Sequence, residues 1–430
     1  MRPDAVGADE TLARSLRPAA VDFSRLSREH GALLQIVRLI IGVVPNCDPI
    51  LAIWPPGFRT YNLLVPNLLN LPFSVWGFGP PAVTLGLALC SASRAAQCAY
   101  CTAHTCSFTL RRGSSREKLA GILIPSEKAS VIAAEALASI PCSFSAEHKA
   151  GLLEHFSPAD AERIALGVAL MGFLNKFMDA VGVDLEEAAV NEVSEVLRPT
   201  GWSPGKHRVR SGPTDPALQA RPSGPDTLFT KLAILRYLPA AVRQEKAWTE
   251  GVPSRWPEVG IWLKAETGHD FPLLGKLRSR RAVRAIATVL RDNLNVSGSR
   301  LSLGVKTLAG LVYASAVGNA TLAREARILV PYSVQETTLD AIAAFAAEPF
   351  DASDSGMADA LTRLEALPGI TSTAALALLM AKAASPSPAQ LPATLITRVY
   401  ATLSPEAQVE LVVWISVQQM LHRLGSYLDA

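Results

Sequence analysis

The residues best suited to chemistry lie together in one segment, Arg94–Cys106, whose sequence is RAAQCAYCTAHTC. Cys98 and Cys101 are three positions apart, so on a helix they lie about one turn apart on the same face. This spacing is typical of a thiol pair that closes and reopens a disulfide. On a continued helix, Arg94 and His104 would flank the pair, and a cation and an imidazole favour the nucleophilic thiolate form of a cysteine. The segment therefore predicts a redox-active dithiol in which Cys101 has a lowered pKa.

Two other interpretations of these thiols remain open. Cys98, Cys101, His104 and Cys106 could supply four zinc ligands, but crowding them onto two helical turns makes tetrahedral closure difficult. The pair could also be inert and semi-buried, left from an active ancestor. Tyr100 is expected to form a wall of the site that shields the sulfur, and Cys106 to be a buried apolar residue. The other cysteines are expected to be small core residues: Cys47, Cys90 and Cys142.

The elements that must position the thiols are predicted to be helices throughout the chain. Apolar residues recur at helical spacing, and strand-like alternation is hard to find. Pro81 opens a helix from Ala82 to about Gln97, and Gly113 ends the helix that carries the thiols. Another begins at Ser157 as N-cap, with proline in the first helical position. The sequence therefore predicts an all-α fold.

Two stretches of the chain resemble each other. The helix that begins at Ser404 opens with the same Ser-Pro start as the helix at Ser157. When these starts are aligned, two pairs of polar residues coincide: Asn175 with His422, and Lys176 with Arg423. The second copy has no thiols at the corresponding place, where the chain continues from Gly318. We interpret the chain as two copies of one fold.

The domain organisation follows from length and composition. A chain of 430 residues is too long for one ordinary core and fits two domains. Residues 201–226 are rich in Pro, Gly, Ser and Arg and lack periodicity, so they are the predicted linker. Residues 1–30 form a predicted N-terminal arm, residues 31–200 the thiol-bearing domain and residues 227–430 the thiol-free domain.

Composition narrows the classes of partner. The hydrophobic fraction is 49% and the charged fraction 18%, which favours covering of apolar surface by oligomerisation or by packing between domains. A net charge of +3 argues against a nucleic-acid partner. Apolar runs such as Ile164–Leu174 are shorter than the roughly 20 residues of a membrane span, and the N-terminus has no apolar export signal. We therefore expect a cytoplasmic protein without a membrane partner.

The basic run Lys276–Arg284 is interpreted as a solvated helix face.

The segment Gln97–Thr105, QCAYCTAHT, resembles the signature of the carboxymuconolactone decarboxylase/alkylhydroperoxidase D-like superfamily. The preceding Ala/Leu-rich helix is similar, and so is the downstream piece Phe173–Glu186, FLNKFMDAVGVDLE, which closes many such domains. The resemblance covers roughly residues 31–190 and, more faintly, residues 227–430. It implies two tandem helical domains of this type, the second degenerate, and assembly into homo-oligomers.

The resemblance also implies an activity, namely cofactor-free and metal-free reduction of hydroperoxides by the Cys-x-x-Cys dithiol. Carried over, Cys101 attacks the peroxide oxygen, Cys98 resolves the sulfenic acid into a disulfide, and His104 assists proton transfer. Arg94 and Tyr100 would support them. The partners implied are a hydroperoxide substrate and an external thiol or disulfide reductant. The protein would then be an antioxidant oxidoreductase.

Two departures from the family pattern leave an alternative open. The founding enzyme has three residues between its second cysteine and its histidine, whereas only Thr102 and Ala103 intervene here. The family's proton-relay glutamate corresponds to Gly86, and residues 82–97 contain no acid. Either a non-local group activates the thiol, or Arg94 does so by charge alone, or activity is low. The alternative is a catalytically degenerate helical scaffold that serves an oligomer or partner interface. A lactone decarboxylase is disfavoured, because those relatives lack the thiol pair.

Overall fold

The structure is a computed structural model that describes residues 10–331 and 333–430, and the predicted all-α class is confirmed. The first eleven helices are α1 (Leu12–Leu16), α2 (Phe23–Ile41), α3 (Asp48–Leu51), α4 (Pro55–Leu68), α5 (Ala82–Ala95), α6 (Ala99–Arg111), α7 (Arg116–Leu119), α8 (Pro125–Ala138), α9 (Ala146–Leu153), α10 (Pro158–Val181) and α11 (Glu187–Leu197). The remaining helices are α12 (Leu228–Trp248), α13 (Glu258–Thr267), α14 (Arg280–Leu294), α15 (Leu303–Ala316), α16 (Ala320–Leu329), α17 (Glu336–Ala347), α18 (Asp354–Glu365), α19 (Ser372–Ala384), α20 (Ala393–Thr402) and α21 (Pro405–Asp429).

Strand structure within the described ranges is limited to one short parallel pair. β1 (Leu185–Glu186) pairs with β2 (Val209–Arg210), with Leu185 opposite Val209 and Glu186 opposite Arg210. This pair ties the segment predicted as a linker to the end of the first half of the chain.

The N-terminal arm predicted over residues 1–30 is only partly described. Residues 1–9 lie outside the described residues, and the rest of the arm forms α1 and the beginning of α2. α2 continues through residue 31, where the first domain was predicted to begin.

The long helices α10 and α21 pack against each other at the centre of the protein. Both begin as predicted, with a serine N-cap whose hydroxyl accepts a backbone N–H, Ser157 from Asp160 and Ser404 from Ala407. The backbones approach closely at Gly172, where an added Cβ would lie 2.9 Å from the Gln419 carbonyl oxygen. A side chain at this position would therefore push the two helices apart.

The positions that meet at this crossing are related. Gly172 and Gln419 occupy the same place relative to their N-cap serines, so the helices cross as two equivalent elements would in a symmetric pair. One contiguous hydrophobic core runs through both halves of the chain. The interpretation of the chain as two domains and two copies of one fold stays a prediction.

α10 is also the one helix within the described ranges that is long and apolar enough to cross a membrane, judged by length and composition alone. Surrounding helices bury 94% of its most apolar stretch. Because a central core helix has the same properties, this is weak evidence for a membrane span.

The helix carrying the thiols begins later than predicted. α5 ends at Ala95, Gln97 has a positive φ of 53°, and α6 begins only at Ala99. A continued helix through this segment was therefore a wrong prediction. Left-handed backbone is rare for a residue with a side chain and cannot propagate a right-handed helix. Cys98 becomes the N-cap of α6 instead, and Arg94 belongs to the preceding helix.

Candidate active site

The two thiols of the Cys-x-x-Cys segment lie at the N-terminus of α6. The Cys98 sulfur caps the helix and accepts the backbone N–H of Cys101 at 3.4 Å. Helix N-termini carry partial positive charge and favour an anion at this position. Both residues are nearly inaccessible, with 1% of Cys98 and 3% of Cys101 exposed, and both are reduced in this structure. Cys101 lines the mostly apolar cavity described below and Cys98 does not, which makes Cys101 the thiol open to a bound substrate.

His104, one turn further along α6, is held by an acid from a distant part of the chain. Its Nε2 lies 2.8 Å from Oε2 of Glu186, and Oε1 of the same carboxylate accepts the Tyr100 hydroxyl at 2.8 Å. The backbone N–H of Asn46 also donates to this carboxylate. Glu186 is 1% exposed, so these donors rather than water satisfy its carboxyl oxygens. The tyrosine and histidine rings pack together, with centroids 4.4 Å apart.

Glu186 was not predicted as a site residue, although it is the last residue of the downstream piece that resembles the family. It lies 82 residues after His104, so no local spacing could connect the two. The structure thus places a non-local acid beside the thiol segment. Its position depends on the β1–β2 pair and on Leu185, whose N–H donates to the Arg208 carbonyl at 2.7 Å.

Residues 201–226, predicted as a linker, cover this side of the site. The Trp202 indole N–H donates to the carbonyl of Ala99 at 3.1 Å, at the first turn of α6. The His207 imidazole bonds to the Val183 carbonyl at 2.7 Å and packs on Tyr100 with ring centroids 5.8 Å apart. This segment therefore shields the Tyr100–Glu186 hydrogen bond from solvent.

The absence of a local glutamate at Gly86 has a packing reason. A Cβ at Gly86 would lie 2.6 Å from Oγ1 and 3.1 Å from Cα of Thr109, because α5 and α6 touch here. No side chain fits between the helices at this point. The close packing of α5 on α6 therefore favours glycine over a residue with a side chain at position 86.

A second buried polar group lies behind the thiols. Burial, followed by repulsion from Asp48 and Glu186, raises the pKa of Cys47 well above its ordinary value. Burial, followed by repulsion from Glu186, raises the pKa of Asp48 to about 8. Neither Asp48 carboxyl oxygen has a well-formed hydrogen bond, and the nearby Asn62 amide, which donates to the Phe58 carbonyl, offsets only part of the rise in the Asp48 pKa. Asp48 is therefore mostly protonated at pH 7. Cys47 is a buried core residue, as predicted, with Asp48 and Glu186 as ionisable neighbours.

The sequence-based prediction of a lowered pKa for Cys101 is wrong in direction. Burial raises its pKa well above the ordinary value, and the hydrogen bond with Cys98 and repulsion by that sulfur raise it further. Low exposure removes the water that would stabilise a thiolate, and the sequence pattern could not reveal this. Ionisation of Cys101 therefore requires a proton acceptor or an alkaline solution.

Arg94, predicted to assist the thiols, is exposed at the end of α5. Its charge acts on the buried Cys90 and Cys106, lowering their pKa values against the larger rise caused by burial. The structure thus does not bring Arg94 to the Cys98–Cys101 pair. Cys106, with Cys90 and Glu192 as its charged or ionisable neighbours, is buried as predicted.

The cations that do act on the thiol pair are buried and come from the two central helices. Lys176 of α10 interacts electrostatically with Cys98, and Arg423 of α21 with both Cys98 and Cys101. Burial lowers the pKa of Lys176 to about 7 and that of Arg423 to about 10. The Lys176 ammonium donates to the Ala384 carbonyl at 2.7 Å, among other acceptors. These are the same two positions that coincide when the Ser-Pro starts are aligned.

The described residues offer little support for a metal centre. Over residues 10–331 and 333–430 no cluster of three or more His, Cys, Asp or Glu side chains is arranged to hold an ion. The side chains gathered around Cys101 are instead suited to proton transfer and thiol chemistry, because they combine a sulfur pair, an imidazole and a carboxylate.

Comparison with known proteins gives limited similarity. No family model matches the chain, and no curated protein matches it. Two crystal structures of the debrominase Bmp8 are similar in part. The apo form has 22% identity and a TM-score of 0.36 over 41% of this chain and 96% of its own. A complex of a Bmp8 variant with 2,3,4-tribromopyrrole has 20% identity and a TM-score of 0.37 over 41% of this chain and 95% of its own.

Proposed function

We propose that the protein is a thiol-dependent hydroperoxide reductase in which Cys101 and Cys98 cycle between dithiol and disulfide. The observation that carries this proposal is the position of Cys101, which lines an apolar cavity and lies one helical turn from an imidazole bound to a buried carboxylate. A thiol, a substrate space and a proton-transfer group are thereby placed together.

The reaction balances with an external reductant. The Cys101 thiolate attacks the outer peroxide oxygen, the O–O bond breaks, and the alkoxide takes up a proton and leaves as the alcohol. The Cys101 sulfenic acid then condenses with the Cys98 thiol, which releases water and forms the disulfide. One hydroperoxide and two thiols give one alcohol, one water molecule and one disulfide. An external dithiol restores the pair by exchange.

His104 and Glu186 supply the proton transfer in this scheme. The carboxylate fixes the imidazole through its Nε2 atom and stabilises the charged ring that forms when it accepts a proton. The same proton can then be returned to the departing alkoxide. This arrangement matters because burial opposes spontaneous ionisation of Cys101.

The burial of the thiols also favours a second candidate, a catalytically inactive scaffold of the same fold. With 1% and 3% exposure and a raised pKa at Cys101, the pair resembles inert core cysteines. This reading predicts that hydroperoxide oxidises neither thiol at a rate above that of a cysteine outside the site.

Mass spectrometry of the Cys98–Cys106 peptide before and after hydroperoxide treatment distinguishes the hydroperoxide reductase from the inactive scaffold. We expect a Cys98–Cys101 disulfide in the unaltered protein. In Cys98→Ser we expect a sulfenic acid on Cys101 that can be trapped chemically. In Cys101→Ser we expect no oxidation of Cys98. The half-buried Cys142 is the internal control. Oxidation of Cys142 without any change at Cys98 or Cys101 would support the scaffold.

A further inference from the structure

The cavity lined by Cys101 is much larger than a small peroxide needs. It encloses about 530 Å³, which lies within the range of sites for whole organic ligands. Its wall is mostly aliphatic and is formed mainly by residues of α2, α4 and α10, among them Leu33, Ile36, Ile40, Val65 and Met171, with Leu69 just after α4. Such a space favours a ligand with a long apolar body.

The two ends of this cavity differ in exposure. Tyr100, Cys101 and His104 lie at the inner end, where Cys101 is 3% exposed. Phe73 is 43% exposed and Val242 is 52% exposed, and both also line the cavity, so they mark the end that opens to solvent. Phe73 and Val242 thus belong to a solvent-facing part of the lining, and Cys101 belongs to a buried part.

Helix α4 runs along this cavity, and its residues Tyr61 and Val65 line it. Tyr61 interacts with Cys47 and Glu186 near the thiol segment. Arg281 donates to Asn67, near the end of the same helix, and packs on Phe73. The group around Glu186 and the Arg281 guanidinium thus lie against different turns of α4.

Two arginines on one face of α14 line this cavity. Arg281 donates from Nε to Asn67 Oδ1 at 3.0 Å and from Nη1 to the Leu71 carbonyl at 3.0 Å and to Asn70 Oδ1 at 3.2 Å. Every one of these acceptors is uncharged. Arg284 donates to the Thr249 carbonyl at 2.9 Å, while its Nε is buried without a partner. The basic run Lys276–Arg284 was interpreted from the sequence as a solvated helix face. The structure instead places two of its guanidinium groups, those of Arg281 and Arg284, at the cavity.

The charge balance near these arginines favours an anion. Within the described ranges Arg281 and Arg284 donate to uncharged acceptors and form no ion pair, and Lys246 adds a third cation to the lining. Glu245 is the one acid in the lining and lies close enough to Arg281 to offset part of the fall in its pKa that burial causes. Partly buried guanidinium groups are stabilised by a carboxylate, which matches their planar donor geometry.

We propose that the cavity binds a long-chain carboxylate of the fatty-acid type, with its carboxylate on Arg281 and Arg284 and its chain in the apolar space. A hydroperoxide group part-way along that chain would lie at Cys101, which lines the same cavity. The reducible substrate is then a fatty-acid hydroperoxide, and this second step rests on the proposed function. Binding of the long-chain carboxylate does not depend on the proposed function.

Calorimetric titration of the full chain with hexadecanoate and with hexadecan-1-ol tests the binding step. We expect the acid to bind at least about tenfold more tightly than the alcohol, because only the acid pairs with the guanidinium groups. Arg284→Gln should remove this preference and Arg284→Lys should restore part of it. Arg280→Gln, an exposed neighbour on the same helix, is the matched control and should bind as the unaltered protein does.

Equal binding of acid and alcohol by the unaltered protein, or unchanged binding of the acid by Arg284→Gln, would overturn the inference. If Arg284→Gln does not fold, the comparison of acid with alcohol still decides. Reduction of tert-butyl hydroperoxide without hexadecanoate binding would refute the substrate class and leave the proposed function standing. Binding of hexadecanoate without reduction of any hydroperoxide would refute the proposed function and leave the binding site standing.

Discussion

Replacing Asp48 by asparagine should change how the stability of this protein depends on pH. Asp48 is fully buried at the start of α3, has no well-formed hydrogen bond at either carboxyl oxygen, and lies near the charged Glu186. Burial and this repulsion raise its pKa from 3.8 to about 8. The folded protein therefore keeps a proton on Asp48 at pH values where the unfolded chain has lost it.

The sign and size of the effect of Asp48 on the free energy of unfolding follow from this difference in proton binding between the folded and unfolded states. A raised pKa contributes stability that is fully present below pH 3.8 and is lost as the pH rises towards about 8. Each pH unit in this window lowers the free energy of unfolding by about 1.4 kcal/mol, or about 6 kcal/mol over the whole window. That is a large part of the 5–15 kcal/mol typical of folded proteins. Asparagine carries no proton to lose, so Asp48→Asn removes this contribution.

Urea denaturation between about pH 4 and about pH 8 measures the effect. We expect Asp48→Asn to gain stability relative to the unaltered protein by about 1.4 kcal/mol per pH unit. Glu266→Gln, which changes an exposed carboxylate, is the control and should leave the pH profile parallel to that of the unaltered protein. Parallel profiles for Asp48→Asn as well would refute the reasoning, because they would mean that Asp48 is ionised in the folded state.

The remaining predictions concern the thiols and the central helices. Peroxide consumption should rise as the pH is raised above neutral, because the raised pKa of Cys101 leaves little thiolate at neutral pH; a flat stopped-flow profile would contradict this. Glu186→Gln should slow peroxide reduction about 100-fold by removing the carboxylate that holds His104, while the exposed Glu187→Gln should not; equal rates would exclude a role in proton transfer. Gly172→Ala should lower the free energy of unfolding by about 1–3 kcal/mol, since its Cβ would meet the α21 backbone at 2.9 Å; unchanged urea unfolding would show that the helices can separate without cost.

Helical structure could be predicted from the sequence because its signals are local. Apolar residues at helical spacing gave the all-α class, and the Ser-Pro starts placed the first turns of α10 and α21 correctly. The thiol segment was recognised from residue types alone, and Cys101, Tyr100 and His104 do line one cavity. The break at Gln97 was missed, because no glycine or proline marks it.

Partners and charge states depend on contacts between distant parts of the chain, and only the tertiary structure decided them. The acid that holds His104 comes from Glu186, which is 82 residues away, because the β1–β2 pair brings it to α6. The pKa of Cys101 rises because surrounding helices exclude water, which reverses the direction inferred from its sequence neighbours. Arg284 lies at the cavity because α14 packs on α4. The sequence by itself thus determined which helices form and which groups are reactive, since both follow from local spacing and residue type. The folded chain determined what each reactive group meets, since burial and long-range packing set its neighbours and its charge.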